Sequence, residues 1–112
     1  MVRFTLEKEN YDVIEAADGI QALESLRTRE PDLIITDINM PRMNGIELIE
    51  RIKQNPRLRY LPIIVLTTES QRNLKDQAKA AGATGWIVKP FKPEQLVRVV
   101  KRFTPSYVAE AS

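Results

Sequence analysis

The sequence predicts an α/β protein built on a parallel sheet with helices on both faces. Short, almost wholly apolar runs alternate with segments of helical periodicity, and Gly, Asn or Pro marks most of the changes. The apolar runs also lack the in-and-out alternation of a half-solvated sheet, which points to strands buried on both sides. A chain of 112 residues fits one compact domain.

Each element has its own local signal. Met1 to Asn10 begins as a charged amphipathic helix, unlike a signal peptide. Tyr11 to Ala17, with Val13 and Ile14, reads as a short strand, and Asp18-Gly19 turns the chain into a helix carrying Ile20, Leu23 and Leu26 on one face. Leu33 to Thr36 is the next strand; after the Asn39–Asn44 loop a helix directs Ile46, Leu48, Ile49 and Ile52 inward, and Asn55-Pro56 stops it. Pro62 to Thr67 is a further strand. A polar helix follows around Gln71 to Ala81, with Leu74, Ala78 and Ala81 on its apolar side and Gly82 as its cap. Trp86 to Val88 is the last strand, and a helix from Pro93 to about Phe103 buries Leu96, Val99, Val100 and Phe103 before Pro105 ends it. The domain is expected to span residues 1–104, with 105–112 as a loose tail.

Composition removes several functions. The chain has no Cys and no His, which excludes disulfides, thiol chemistry, the commonest general base and most transition-metal sites. No run of about 18 apolar residues is present to span a bilayer, so no membrane is expected and the location is read as cytoplasmic. Residues 1–56 carry 7 basic and 11 acidic side chains and residues 57–112 carry 10 and 4, so formal charges of −4 and +6 lie behind the net +2. The basic residues are dispersed without a clustered stripe, which argues against nucleic acid. Most of them are read as solvated helix faces.

Parallel strands bring their carboxyl ends to one edge, where open α/β sheets bind ligands. There the sequence places Asp37, Thr67 and Lys89. An anion suits that trio: Asp37 as a nucleophile towards phosphorus, Thr67 as a hydroxyl donor, and Lys89 as a point cation for developing charge. Any one of them alone is more often a helix cap or a solvated lysine.

The runs Tyr11–Gly19, Asp37–Gly45, Leu66–Glu69, Ala81–Ala83 and Trp86–Phe91 together resemble the receiver domains of bacterial two-component response regulators, the CheY-like group. The resemblance implies a doubly wound, flavodoxin-like sheet in the order 2-1-3-4-5 and a single-domain, chemotaxis-type signalling role. It implies that Asp37 accepts a phosphoryl group from a sensor histidine kinase, with Mg²⁺ held by Asp37 and the backbone carbonyl of Asn39. It also implies a cis Lys89-Pro90 peptide, a switch made of Thr67 and Trp86, and tuning of phosphoryl hydrolysis by the side chains of Asn39 and Glu69. A downstream target is expected on the surface of residues 71–81, 86–88 and 93–103, which coincides with the basic half. Receivers catalyse their own phosphorylation and dephosphorylation, so no enzyme acting on a separate substrate is expected. Trp86 could equally be plain core.

One part of the family pattern is missing. Receiver domains open with a hydrophobic strand ending in two acidic residues, whereas this chain starts inside the helix that follows. A truncated receiver is therefore expected, with weak Mg²⁺ binding and impaired phosphorylation at Asp37. The vacancy in the sheet would be repaired by Val13–Ala16 pairing with Leu33–Thr36, by a homodimer with segment exchange, or by the tail around Tyr107-Val108-Ala109; exchange is favoured.

Other readings are weaker. A pseudo-receiver that docks proteins without phosphoryl transfer remains the alternative. An aspartate-nucleophile phosphatase needs a second carboxylate where Asn39 stands. A flavin site lacks its phosphate loop, and a transcription factor lacks room for a helix-turn-helix.

Overall fold

The computed structural model of the protein describes residues 2–38, 43–68 and 72–104. Along the chain run α1 (Val2–Glu7), α2 (Gly19–Leu26), β1 (Ile34–Asp37), α3 (Gly45–Gln54), β2 (Ile63–Thr68), α4 (Arg72–Ala81), β3 (Gly85–Lys89) and α5 (Pro93–Phe103). The strands form one parallel sheet in the order β1-β2-β3. The class is the expected one. No helix among the described residues is long and apolar enough to cross a membrane.

The sheet is covered on both faces because its central strand is apolar on both. Ile63, Ile64, Val65, Leu66 and Thr67 of β2 are all buried. Strand alternation sends Ile63 and Val65 into a cluster with Leu48, Ile49 and Ile52 of α3 and Ala78 of α4. It sends Ile64 and Leu66 the other way, onto Leu6 of α1 and Leu96 and Val100 of α5. One strand thereby joins two cores.

Local chemistry closes the helices as the sequence suggests. The Asp18 carboxylate caps α2 by accepting from the Gln21 backbone amide at 2.8 Å, and the Asn44 side-chain Oδ1 caps α3 by accepting from the Glu47 backbone amide at 2.9 Å. Gly82 follows α4 with φ +122°, a conformation few other residues adopt. Lys53 is an addition: its Nζ donates to the carbonyls of Arg59 at 2.9 Å and Leu61 at 3.3 Å, pinning residues 55–61 across the end of α3. Burial lowers its pKa below the ordinary lysine value.

The strand expected at residues 11–17 is not formed. The chain there is irregular up to the turn at 17–18, and β1 pairs only with β2. Pairing of Val13–Ala16 with Leu33–Thr36 is therefore not how this structure completes its sheet. A lone extended segment cannot satisfy its backbone by itself, so apolar sequence without a neighbouring strand stays irregular. Tyr11 and Val13 still pack against the α1–α5 cluster, and the Tyr11 hydroxyl lies 2.9 Å from Thr104 Oγ1. Ile14, read as part of that strand, is 51% exposed, and Ile20, read on the apolar face of α2, is 40% exposed. Val99 and Phe103 are half-buried rather than buried. The tail 105–112, offered as another repair, lies outside the described residues.

Candidate functional site

Asp37 ends β1 and Lys89 ends β3, on the two outer strands of the sheet. Register aligns Asp37 with Leu66 and Leu66 with Ile87, so Asp37, Ile87 and then Lys89 face the same side of the sheet. Across the end of β2, the Lys89 ammonium hydrogen-bonds and ion-pairs with an Asp37 carboxylate oxygen. Their side chains are 37% and 35% exposed, so the pair is open to solvent and to an incoming anion, and its attraction is partly screened.

The backbone behind Asp37 is held by the start of α3. The Gly45 amide donates to the Ile38 carbonyl at 2.8 Å. A Cβ at position 45 would sit 2.5 Å from the Asp37 carbonyl oxygen and 3.0 Å from Ile38 Cα. Only glycine allows this approach. Gly19 makes a similar close contact, where a Cβ would meet Met43 Cβ at 2.8 Å. Both glycines were visible as turn residues, but their proximity to the loop after β1 was not.

Thr67 stands apart from the open pair. It is 1% exposed, faces the α3–α4 side by alternation with Val65, and its Oγ1 donates to the Thr68 carbonyl at 3.2 Å. Trp86 is aligned with Val65 and packs on the same face. Two lysines of α4 lie over its ring, Lys75 Nζ at 4.2 Å and Lys79 Nζ at 5.8 Å from the centroid. Sequence reading missed these lysines, although their helical spacing beside a tryptophan was a usable signal. The Lys89-Pro90 peptide is cis, as expected. Asn39 and Glu69, expected to tune the site, lie outside the described residues.

The described residues alone do not complete a magnesium site. A hard dication takes about six oxygen ligands, and among the described residues there is no group of three or more acidic, His or Cys side chains. Asp37 also already carries an ammonium group. What the described residues provide is one partly exposed carboxylate with an ammonium group against it.

The response regulator receiver domain family matches residues 1–101. This chain belongs to that family. It is 38% identical over 107 residues to hybrid signal transduction histidine kinase D of Dictyostelium discoideum, covering 93% of this chain and 7% of the kinase. It is 40% identical over 97 residues to the transcriptional regulatory protein PdtaR of Mycobacterium tuberculosis, covering 86% of this chain and 46% of that one. With chemotaxis protein CheY1 of Helicobacter pylori it shares 39% over 98 residues, 86% of this chain and 79% of that one. The chain thus spans less than half the length of the kinase or PdtaR.

Among solved structures it is similar to the chemotaxis response regulator CheY4 of Vibrio cholerae, with TM-score 0.86 and 43% identity over 92% of this chain and 86% of that one. The receiver domain of the sensor histidine kinase PA1611 from Pseudomonas aeruginosa, which has a magnesium ion coordinated in its active-site cleft, matches with TM-score 0.84 and 30% identity, covering 91% of this chain and 84% of that one. The fold is CheY-like, and the chain is a two-component signalling module of the receiver type. Receiver domains are signalling modules rather than enzymes with a separate substrate.

Proposed function

We propose that this chain is the phosphoacceptor module of a two-component phosphorelay of the single-domain, chemotaxis type, with Asp37 as the acceptor. The observation that supports this reading is the Asp37–Lys89 ion pair at the carboxyl edge of the sheet. An Asp37 oxygen attacks the phosphorus of a sensor kinase's phosphohistidine. The P–N bond breaks, and the imidazole keeps the electron pair and takes up a proton. The Lys89 ammonium follows the charge from carboxylate to phosphoryl oxygen. Thr67 then turns its hydroxyl towards the phosphoryl group, and Trp86 carries the change to α4, β3 and α5, where the downstream target docks. Asn39 and Glu69 set the lifetime of the acyl phosphate. The module works in the cytoplasm, where its kinase would deliver the phosphoryl group.

In this chain the transfer is slow. Asp37 and the Asn39 carbonyl hold Mg²⁺ weakly, and a bound ion would supply the charge neutralisation that Lys89 alone gives in part. No group of three or more acidic side chains gathers among the described residues, which supports a second reading, a pseudo-receiver that docks partners without phosphoryl transfer. Incubation with acetyl phosphate and Mg²⁺, followed by intact-mass measurement, separates the two. The first reading expects a slow adduct that Asp37→Asn abolishes; no adduct after prolonged incubation leaves the docking module. A rate equal to that of a receiver carrying two further carboxylates would refute impairment.

The edge position of β1 and the exposure of Ile14 support a homodimer in which the copies exchange a segment to cover the edge. Light scattering that finds a folded monomer removes that part of the proposal.

A further inference from the structure

Between α2 and α3 opens a cavity of about 490 Å³. Its walls are apolar: Ile20, Leu23 and Leu26 of α2, Met43 just before α3, and Leu58 after it. Leu26, Met43 and Leu58 are buried members of the core cluster, whereas Ile20 is 40% exposed, so the cavity runs from solvent down to the core. Small-molecule sites are of this kind, about 300–1,000 Å³ and apolar with a few polar groups. Two of the polar groups here are guanidinium groups, those of Arg27 and Arg51. Arg27 meets Glu24 only at 3.8 Å and Arg51 meets Glu47 only at 4.0 Å, both too long for a hydrogen bond. The groove between α1 and α5 differs, because there Lys101 is paired with Glu9 at 3.2 Å and Lys8 lies over the Phe4 ring at 5.3 Å. Its cations are already engaged.

We infer that the α2–α3 cavity binds a free anionic amphiphile of the medium-chain fatty acid class. The hydrocarbon covers Ile20 and Leu23 and reaches Met43, whose flexible thioether adapts to the chain. The carboxylate stays at the mouth, where the side chains of Arg27 and Arg51 are 76% and 55% exposed. Each guanidinium fork matches a carboxylate in two parallel bonds, which an amphiphile with a cationic head cannot accept. A slender chain fits better than a partner's helix, because Leu26, Met43 and Leu58 are already at 7%, 7% and 2% exposure and leave little open surface for a row of anchoring side chains. The inference depends neither on phosphoryl transfer at Asp37 nor on a target bound to α4, β3 and α5.

Titrating the full chain with sodium decanoate below its micelle-forming concentration, while following side-chain methyl groups by NMR, tests the cavity. Decyltrimethylammonium carries the same chain on a cation, and acetate carries the carboxylate without the chain. The expected result is a saturable shift of the Ile20, Leu23, Met43 and Leu58 methyls with decanoate, a weaker one with decyltrimethylammonium and none with acetate. Arg27→Gln with Arg51→Gln should loosen decanoate about tenfold or more. Lys8→Gln, in the α1–α5 groove, should leave it unchanged. Circular dichroism checks that each variant is folded; the methyl shifts of the unaltered chain test the site even if the double variant is not. Equal affinity for decyltrimethylammonium, shifts centred on Val97 of the other groove, or no shift at all would overturn the inference. So would shifts caused by phosphatidylglycerol vesicles but not by free decanoate, or shifts on diluting the protein alone, which would seat a second copy in the cavity.

Discussion

Residues 63–68 and residues 11–17 both read as strands in the sequence, the second on Tyr11, Val13 and Ile14, yet only the first is one. β2 has a strand on each side and a helical layer on each face, and five of its six residues are buried. The earlier segment has no strand beside it among the described residues, packs Tyr11 and Val13 against the α1–α5 cluster, and leaves Ile14 51% exposed. The difference teaches that a strand is a relation between segments. Apolar sequence supplies the propensity, but the ladder needs a neighbour for its N–H and C=O groups.

Substitutions can break this comparison. Ile64→Ala removes a fully buried side chain from the centre of β2 and should cost about 2–5 kcal/mol in chemical denaturation. If Val13→Ala costs as much, the two segments are equally built into the core and the contrast fails. Gly45→Val forces a Cβ to within 2.5 Å of the Asp37 carbonyl and should cost about 1–3 kcal/mol. It should also slow any modification of Asp37, because the backbone carrying the carboxylate must shift; stability loss with an unchanged adduct rate would separate scaffold from site.

Smaller effects are expected towards the amino terminus. Tyr11→Phe removes the hydroxyl contact with Thr104 at 2.9 Å and should cost about 0.5–1.5 kcal/mol. Hydrogen exchange should then show faster exchange in residues 11–16 and little change in β2. Ile14→Ser alters an exposed side chain and should stay within about 0.5 kcal/mol. A larger loss that depends on protein concentration would instead show Ile14 covered in a dimer.

The elements that could be read locally were those whose signals are local. α5 has Pro93 at its start and an apolar stripe of Leu96 and Val100, and its observed span matches the reading. α3 has Asn44 before it and Asn55-Pro56 after it. In the site, Asp37 and Lys89 were legible as strand ends, and the structure joins them across 52 positions of sequence. Thr67 was equally legible as a strand end, but alternation turns it into the buried α3–α4 face. The distances of the Gly45 contact with the Asp37 backbone and of the lysine cover on Trp86 were not legible. Each depends on the packing of a helix against a strand, and residue type alone does not specify that distance.

Sequence by itself determined the α/β class, the order of helices and strands from α2 onward and the presence of a carboxylate, a hydroxyl and an ammonium at strand ends; the cis peptide before Pro90 followed from the family resemblance. Periodicity, caps and prolines act over a few residues, so they survive without knowledge of the rest of the chain. Tertiary structure alone decided that residues 11–17 are not a strand, that Lys89 pairs with Asp37 while Thr67 is buried, and that Trp86 lies beneath two cations. Those outcomes depend on which distant surfaces meet, because backbone pairing, burial and charge contact are all properties of neighbours in space.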